Sequence, residues 1–328
     1  MPVSRFVRLL AAAVAAACLA GPAAASVGFR VMTIPDPAGG QIEVGVWYPA
    51  EAPAKAMPFG LGSQTVAAGA PIVGQRLPLV VMSHGNGGFF GGHFDTAEAL
   101  VEAGFVAAAL THTGDNYRDQ SRATDMPNRP RQLSALIDYM LGAWPERGRL
   151  DPERVGAFGF SSGGFTVLSA AGAAADPAAI LDHCAKLPDY YDCRLSAKRP
   201  PPAAWPAPTP DRRIKAIVSA APALGYSFTT ESLQTLTMPI QLWQAEHDRV
   251  LPKPLYAESV RDRLPRPPEY HLVKGADHYD FLPACERSAE APVICAPTPG
   301  FDRARFHRTL NREVVRFFSA TLAGPKAP

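Results

Sequence analysis

The sequence predicts an α/β fold with one mainly parallel sheet of eight strands and helices on both faces. Short β-type runs alternate with helix-type runs over most of the 328 residues, which is the pattern of such a sheet. The runs at 79–82 and 106–110 are continuously apolar, as expected of strands buried on both faces. A Gly-x-Ser-x-Gly motif at 159–163 lies between a β-type run and a small-residue run. A strand that enters a helix through such a tight turn fits the same fold.

The elements follow in order along the chain. A hairpin is predicted from the runs at 28–34 and 41–48, which are joined by an Asp-Pro-Ala-Gly-Gly turn. Six further strands are predicted at 77–83, 105–111, 154–160, 214–220, 240–244 and 270–273. Helices are predicted at 94–103, 131–143, 165–174, 254–263 and 302–322. The last helix has four large apolar residues on one face, which we expect to pack against the sheet: Phe306, Leu310, Val314 and Phe318.

The stretch 175–210 interrupts this alternation. It contains two cysteines and a proline-rich run at 199–210, and proline disfavours helices and inner strands. We therefore predict a small insertion after the helix that follows the Gly-x-Ser-x-Gly motif. It is either a surface excursion or a lid over the site, and both interpretations remain open.

The first 25 residues have the pattern of a secretory signal peptide. Arg5 and Arg8 precede an apolar run at 9–20, and three alanines precede Ser26. The run is too short for a membrane anchor. Cys18 raises a lipoprotein alternative, but the alanines before it lack the usual large aliphatic residue. The sequence thus predicts a secreted or periplasmic protein with one domain at 26–328.

Charge gives no indication of a polyanionic partner. The signal peptide holds two of the 32 basic residues and none of the 30 acidic ones, so the rest of the chain is formally neutral. We therefore expect neither nucleic acid nor an anionic membrane surface as a partner. No later stretch is long and apolar enough for stable insertion into a bilayer. The sequence does not indicate an oligomeric state.

Four cysteines remain after the signal peptide: Cys184, Cys193, Cys285 and Cys295. An even number in an oxidising compartment favours two disulfides, for which three pairings exist. The short separations within each half favour local pairing. Zinc is the alternative, but the nearest histidines, His183 and His278, lie at no finger-like spacing, and no His-Glu-x-x-His string is present. We predict structural disulfides and no metal site.

Ser161, at the centre of the 159–163 motif, is the candidate nucleophile. Small flanking residues let the turn tighten until the hydroxyl is exposed. A serine hydroxyl needs a base, and the base needs a carboxylate that orients it. Asp248 follows the strand at 240–244 and His278 follows the strand at 270–273. The chain order serine, acid, histidine is the one expected in this architecture.

Other residues could take these roles. Glu246 is an alternative acid, although it lies closer to the end of its strand. His247 is an alternative base, but it does not follow the final strand, and a solvated imidazole is the simpler interpretation. Asp277 and Asp280 flank His278, and each would have to fold back sharply to orient it. We interpret both as turn residues.

An oxyanion site is predicted after the strand at 77–83, in the Ser-His-Gly-Asn-Gly-Gly sequence at 83–88. Glycines let the backbone approach a substrate oxygen closely, and the backbone N–H groups of Asn86 and Ser162 are the expected donors. An ordinary glycine turn is the alternative. Three phenylalanines next to these loops are candidates for an apolar substrate pocket, with core packing as the alternative for each: Phe89, Phe90 and Phe160.

Four motifs together resemble those of α/β-hydrolases, over nearly all of the mature chain. They lie at 46–49, 83–88, 159–164 and 278–281. The first and last are most similar to the dienelactone-hydrolase-like branch, which also includes platelet-activating-factor acetylhydrolases. The resemblance implies a serine esterase that acts on small-molecule or lipid-like esters, through an acyl-enzyme and without a metal or organic cofactor.

The chain also departs from these relatives. Ser161 stands where dienelactone hydrolases have cysteine, and Phe160 replaces the usual histidine or tryptophan. Secreted polyester hydrolases usually have methionine where this chain has Ser162. A peptidase or amidase with the same triad, and a non-catalytic binding protein with the same fold, are the alternative functions.

Overall fold

The computed structural model describes residues 25–323. The predicted signal peptide lies outside these residues except for Ala25. The strands of the described range are β1 (Ser26–Pro35), β2 (Gln41–Ala50), β3 (Lys55–Phe59), β4 (Gly62–Ala68), β5 (Leu77–Ser83), β6 (Val106–Thr111), β7 (Leu150–Phe160), β8 (Ile214–Ala220), β9 (Ile240–Ala245) and β10 (Glu269–Val273). Its α-helices are α1 (Phe94–Glu102), α2 (Asn128–Gly142), α3 (Ser162–Ala170), α4 (Pro177–Lys186), α5 (Tyr191–Lys198), α6 (Thr230–Leu233), α7 (Ala257–Arg261) and α8 (Arg303–Thr321).

The strands form one sheet in the order β10-β9-β8-β7-β5-β6-β2-β1-β4-β3. The six strands from β10 to β6 in this order are mutually parallel. Strand β2 pairs antiparallel with β6, and β1 pairs antiparallel with β2. The mainly parallel sheet is therefore confirmed. The loops that follow β5, β7, β9 and β10 leave the sheet at the same edge.

The predicted count of eight strands was too low, because the sheet of the described residues has ten. The two additional strands are the hairpin β3–β4, which extends the sheet beyond β1. Most residues of β3 are exposed, and exposed and buried positions alternate along much of β4. Such edge strands lack the continuous apolar run that made the inner strands visible in the sequence.

Alternate residues of the central strands enter two cores, one on each face of the sheet. Leu79 and Val81 of β5 belong to the core that contains residues of α2 and α3. Val80 and Met82 belong to the core that contains residues of α1 and α8. The predicted apolar face of the last helix is confirmed as buried in this second core: Phe306, Leu310, Val314 and Phe318.

The insertion at 175–210 contains two helices that were not predicted, α4 and α5. Helix α4 begins with proline after Asp176, whose side chain accepts a hydrogen bond from the Ala178 amide, a favourable start for a helix. The proline-rich part after α5 lacks regular structure. The helix predicted at 254–263 is shorter, extending only from Ala257 to Arg261.

Two disulfides close short loops, with the predicted local pairing. One joins Cys184 to Cys193 within the insertion, and the other joins Cys285 to Cys295 before α8. No helix among residues 25–323 combines the length and the apolar character needed to cross a membrane.

Candidate active site

Ser161 occupies a strained turn between β7 and α3. Its backbone angles are φ 57° and ψ −119°, a region that non-glycine residues seldom adopt. The flanking glycines are required by close approach: a Cβ on Gly159 would lie 2.0 Å from the Gly163 carbonyl oxygen, and one on Gly163 would lie 1.9 Å from that of Ser83. Hydrogen bonds from the Ser161 amide to the Ala220 carbonyl (2.9 Å) and from the Ala223 amide to the Ser161 carbonyl (3.0 Å) hold the turn.

Three side chains from separate loops form a continuous hydrogen-bonded chain. Ser161 Oγ lies 3.1 Å from His278 Nε2, and His278 Nδ1 lies 2.8 Å from Asp248 Oδ2. The other carboxylate oxygen of Asp248 accepts from the backbone amides of Val250 (2.9 Å) and Leu251 (2.6 Å). With both of its oxygens bonded, Asp248 has a fixed orientation toward the imidazole.

The alternative acids and base lie in other environments. Glu246 accepts a hydrogen bond from the Gly275 amide, and the side chain of His247 is 69% exposed. Asp277 accepts from the amides of Arg249 and His278. Asp280 accepts from the Asp277 amide and so completes a capping box around the short turn that begins at His278. Both aspartates therefore shape the turn that presents His278.

The predicted oxyanion loop follows β5, and hydrogen bonds of His84, which belongs to the loop, hold it in place. His84 Nε2 accepts from the His112 amide at 3.0 Å, so Nδ1 carries the proton and donates to the Gly85 carbonyl at 2.6 Å. Burial, together with the charge of nearby Arg129, lowers the pKa of His84 well below its usual range, which keeps the ring neutral. Within residues 25–323, neither the backbone amide of Asn86 nor that of Ser162 donates a hydrogen bond to a protein acceptor. Both donors thus remain available to a ligand.

Arg129 and Asp115 form a buried ion pair next to this loop, and neither was predicted from the sequence. Arg129 Nη1 lies 2.5 Å from Asp115 Oδ2, and both side chains are 2% exposed. Arg129 also donates to the His84 carbonyl, and Asp115 Oδ1 accepts from the Gly87 amide at 2.9 Å. The pair therefore ties α2 to the backbone of the loop. No motif marks these residues in the sequence, because only packing brings them together.

Comparisons with known proteins place this architecture. No model of a protein family matches the chain, and no curated protein matches it. A solved structure of a ferulic acid esterase from Streptomyces cinnamoneus is similar with a TM-score of 0.62 at 20% identity, over 94% of each chain. A dienelactone hydrolase from Anabaena variabilis is similar with a TM-score of 0.55 at 15% identity, over 90% of this chain and 99% of that one. The chain has the α/β-hydrolase fold. A dienelactone-hydrolase-like promiscuous phosphotriesterase from metagenomic libraries has a similar structure, with a TM-score of 0.54 at 14% identity over the same shares.

Two small cavities meet at Ser161 in this α/β-hydrolase fold. One has a volume of about 40 Å³ and is walled by apolar residues such as Met126, Leu195 and Leu251. The other has a volume of about 90 Å³ and lies along the loop at 84–88, beside His278. Tyr191 of the insertion lines both cavities. The insertion therefore forms part of the wall around the serine.

The three phenylalanines predicted for a substrate pocket lie in different places. Phe160 lines the larger cavity and packs against the His278 ring, with centroids 4.8 Å apart. Phe89 and Phe90 instead pack against Phe59 in an aromatic cluster, and neither lines the cavities at Ser161. The structure thus places these two residues in an aromatic cluster, outside the lining of the cavities at Ser161.

His183, Asp192 and Cys193 form a cluster with metal-ligating atoms close together. The Cys193 sulfur is bonded to Cys184, so it cannot act as a thiolate ligand. Asp192 accepts hydrogen bonds from the hydroxyls of Tyr226 (2.7 Å) and Tyr256 (3.0 Å). The cluster is thus occupied by a disulfide and by tyrosine–carboxylate bonds that attach α5 to the rest of the domain.

Proposed function

We propose that the protein is a secreted serine esterase that hydrolyses carboxylic esters through an acyl-enzyme. The observation that carries this proposal is the hydrogen-bonded chain from Ser161 through His278 to Asp248. The distances of 3.1 and 2.8 Å suit proton transfer from the hydroxyl to the imidazole. The esterase and hydrolase names of the similar structures agree with it.

In the proposed reaction, Ser161 Oγ attacks the ester carbonyl carbon while His278 Nε2 takes its proton. Asp248 stabilises the imidazolium that forms. The amides of Asn86 and Ser162 bind the oxyanion, and the Ser162 amide lies at the first turn of α3, where the helix dipole adds positive potential. The tetrahedral intermediate then collapses, and His278 gives its proton to the departing alcohol. Water activated by His278 attacks the acyl group next and releases the acid.

Substrate and location belong to the same proposal. A small-molecule or lipid-like ester fits the apolar residues near Ser161, and this mechanism requires no metal or organic cofactor. Two disulfides agree with a secreted or periplasmic protein. In this proposal, residues 26–328 form the catalytic domain after the signal peptide is removed.

Hydrolysis of p-nitrophenyl acetate tests the proposal. We expect turnover by the wild-type protein, and Ser161→Ala should reduce it to the level of the residual activity that binding groups alone supply. Ser169→Ala, a matched serine change in the helix that follows Ser161, should retain turnover. Both variants should have the circular dichroism spectrum of the wild type. Persistent turnover by Ser161→Ala would reject the assignment.

Two further assays separate the alternative functions. Rates on matched ester and amide substrates distinguish an esterase from a peptidase or amidase, because amide leaving groups must be protonated before they depart. A fluorophosphonate probe labels an activated serine whichever substrate is natural. Failure to label the folded protein would instead favour a binding protein that has kept the fold.

A further inference from the structure

The insertion makes a direct polar contact with the predicted oxyanion loop. The hydroxyl of Tyr191, the first residue of α5, donates to Asn86 Oδ1 at 2.6 Å. On its other side, Asn86 Nδ2 donates to Asp115 Oδ1, also at 2.6 Å. The carboxylate can only accept and the phenol hydrogen can only be donated, so the two partners fix which way the Asn86 amide group points.

The tyrosine keeps its proton over the working range of a hydrolase. Burial, and then the nearby Tyr279 and Asp115, raise the pKa of Tyr191 to about 12. The hydroxyl is therefore a donor at neutral and moderately alkaline pH. Because its partner is the side-chain oxygen of Asn86, the backbone amide of Asn86 stays free.

Helix α5, which carries Tyr191, is itself attached at two further points. The neighbouring Asp192 accepts from the hydroxyls of Tyr226, which follows β8, and Tyr256, which follows β9. The next residue, Cys193, is bonded to Cys184 of α4. Tyr191 is thus held on a braced segment and can transmit that rigidity to the loop.

The loop is consequently held from two sides. Arg129 and Asp115 bind it on the core side, through the His84 carbonyl and the Gly87 amide. Tyr191 binds it on the side of the insertion. An oxyanion donor is effective only when it is already aimed at the developing charge, so a second tether has a direct consequence for catalysis.

We propose that Tyr191 is a positioning residue of the esterase. It holds the oxyanion loop through the side chain of Asn86, so that the backbone amide of Asn86 faces the tetrahedral intermediate. This inference rests on the proposed function. It makes the insertion a fixed wall of the site. The prediction that distinguishes it from a general structural role is an effect on kcat that depends on the Asn86 side chain.

The test compares Tyr191→Phe, which keeps the ring and removes only the hydroxyl, with the wild type on p-nitrophenyl acetate. We expect kcat to fall about tenfold, less than the full loss of an oxyanion donor, with KM changed by less than about twofold. Tyr190→Phe is the matched control: within residues 25–323 the Tyr190 hydroxyl contacts no hydrogen-bonding partner, and its ring packs on His183. This control should keep the wild-type kcat.

Asn86→Ala provides the second arm, because it removes the tether from the other end. It also removes the bond from Asn86 Nδ2 to Asp115, so it should lower kcat at least as much as Tyr191→Phe does. Adding Tyr191→Phe to it should change kcat by less than about twofold, as expected when two residues act through one contact. If Tyr191→Phe does not fold, an unchanged kcat in folded Asn86→Ala would still overturn the proposal, because that variant lacks the contact with Tyr191.

The outcomes separate the two claims. An inactive, unlabelled wild type would overturn both the esterase function and this inference. An active wild type with an unchanged Tyr191→Phe, an equal loss in Tyr190→Phe, or a full additional loss in the Asn86→Ala background would overturn the role of Tyr191 alone.

Discussion

The contacts of Asp248 and Glu246 differ because the folded loop places them in different surroundings. They lie two positions apart after β9, yet the structure places only Asp248 beside His278, whereas Glu246 binds the Gly275 amide. The sequence favoured Asp248 because Glu246 lies closer to the end of the strand. Distance from the strand end could rank the two acids, but only the packed loop places one of them against the imidazole.

Replacing each acid by its amide tests which of the two orients His278. Asp248→Asn should lower kcat for a p-nitrophenyl ester by about 10³- to 10⁴-fold, because the neutral amide cannot stabilise the imidazolium and favours the wrong tautomer. Glu246→Gln is the control and should change kcat by less than about tenfold. Steady-state kinetics of both variants check the assignment. A larger loss in Glu246→Gln than in Asp248→Asn would show that the acid is Glu246 and not Asp248.

Buried histidines should make stability depend on pH. Burial lowers the pKa of His93 to about 4, from an ordinary value of 6.5. Below pH 6.5 the unfolded chain therefore binds a proton that the folded protein does not, so stability falls as the pH is lowered toward 4. The full effect of this one group is about 3 kcal/mol. Burial lowers the pKa of His84 and His112 as well, so these two groups should also reduce stability as the pH falls.

Urea unfolding at pH 7 and pH 5 checks this linkage. The wild type should lose unfolding free energy between these values, and His93→Gln should lose about 2 kcal/mol less because glutamine binds no proton. The comparison uses the change with pH within each protein, so a constant cost of the substitution cancels. An identical loss in the two proteins would contradict the role of His93.

Some residues of the site could not be predicted from the sequence. Ser161 and His278 lie in short motifs that follow predicted strands, so motif and position together predicted their roles. Arg129 and Asp115 have no such motif, and Tyr191 lies in a stretch with no predicted structure. Their roles depend on a packed tertiary arrangement, in which α2 and α5 approach the same loop from two sides. Periodicity carries no information about such contacts.

At the scale of elements, the turn between β7 and α3 is the most constrained part of the site. The turn brings the backbone of Gly163 against that of Ser83 at the end of β5. A side chain there cannot be accommodated by rotation, because the opposing atom belongs to the backbone. The requirement for glycine is therefore steric, and the fixed spacing of the two glycines around Ser161 made the motif readable in the sequence.

Alanine substitutions at two glycines test this requirement. Gly163→Ala should abolish ester turnover and lower the melting temperature, because its Cβ would lie 1.9 Å from the Ser83 carbonyl oxygen. Gly142→Ala, at the end of α2, meets nothing within 4 Å and should raise the unfolding free energy by about 0.5–1 kcal/mol. Thermal unfolding and activity of both variants are the measurements. Wild-type activity in Gly163→Ala would contradict the steric account.

Elements with continuous apolar runs were predicted, and elements with mixed exposure were not. Strands β5 and β6 are buried along their entire length, so their continuous apolar composition predicted them as strands. The hairpin β3–β4 and the helices α4 and α5 are largely exposed or partly exposed. Strand β4 pairs with β1, α4 has a helix cap, and a disulfide joins α4 to α5. None of these contacts produces a hydrophobic period in the sequence.

In the whole molecule, we expect the two cavities at Ser161 to limit the length of the acyl group that a substrate can carry. Their volumes are about 40 and 90 Å³, which is small beside the roughly 300–1,000 Å³ of pockets that bind drug-sized ligands. The smaller cavity therefore suits a short apolar group. The braced insertion keeps it from widening freely, since α5 is attached through Asp192 and the disulfide.

This size predicts a preference for short acyl chains. In a series of p-nitrophenyl esters, kcat/KM should be highest for acetate to butyrate and should fall by at least about tenfold for octanoate, because a longer chain must displace packed side chains. Leu195→Ala, which enlarges the smaller cavity, should shift the preference toward longer chains. A wild type that prefers octanoate would contradict the cavity as the limiting feature.

Trapping the acyl-enzyme tests the role of Ser161 as nucleophile. The protein is mixed with p-nitrophenyl acetate, quenched in acid within the first turnover and digested for peptide mass spectrometry. We expect one added acetyl group on Ser161 of the wild type and none at that position in Ser161→Ala. An acetyl group on another residue, or ester turnover with no acylated serine, would contradict the central role of Ser161.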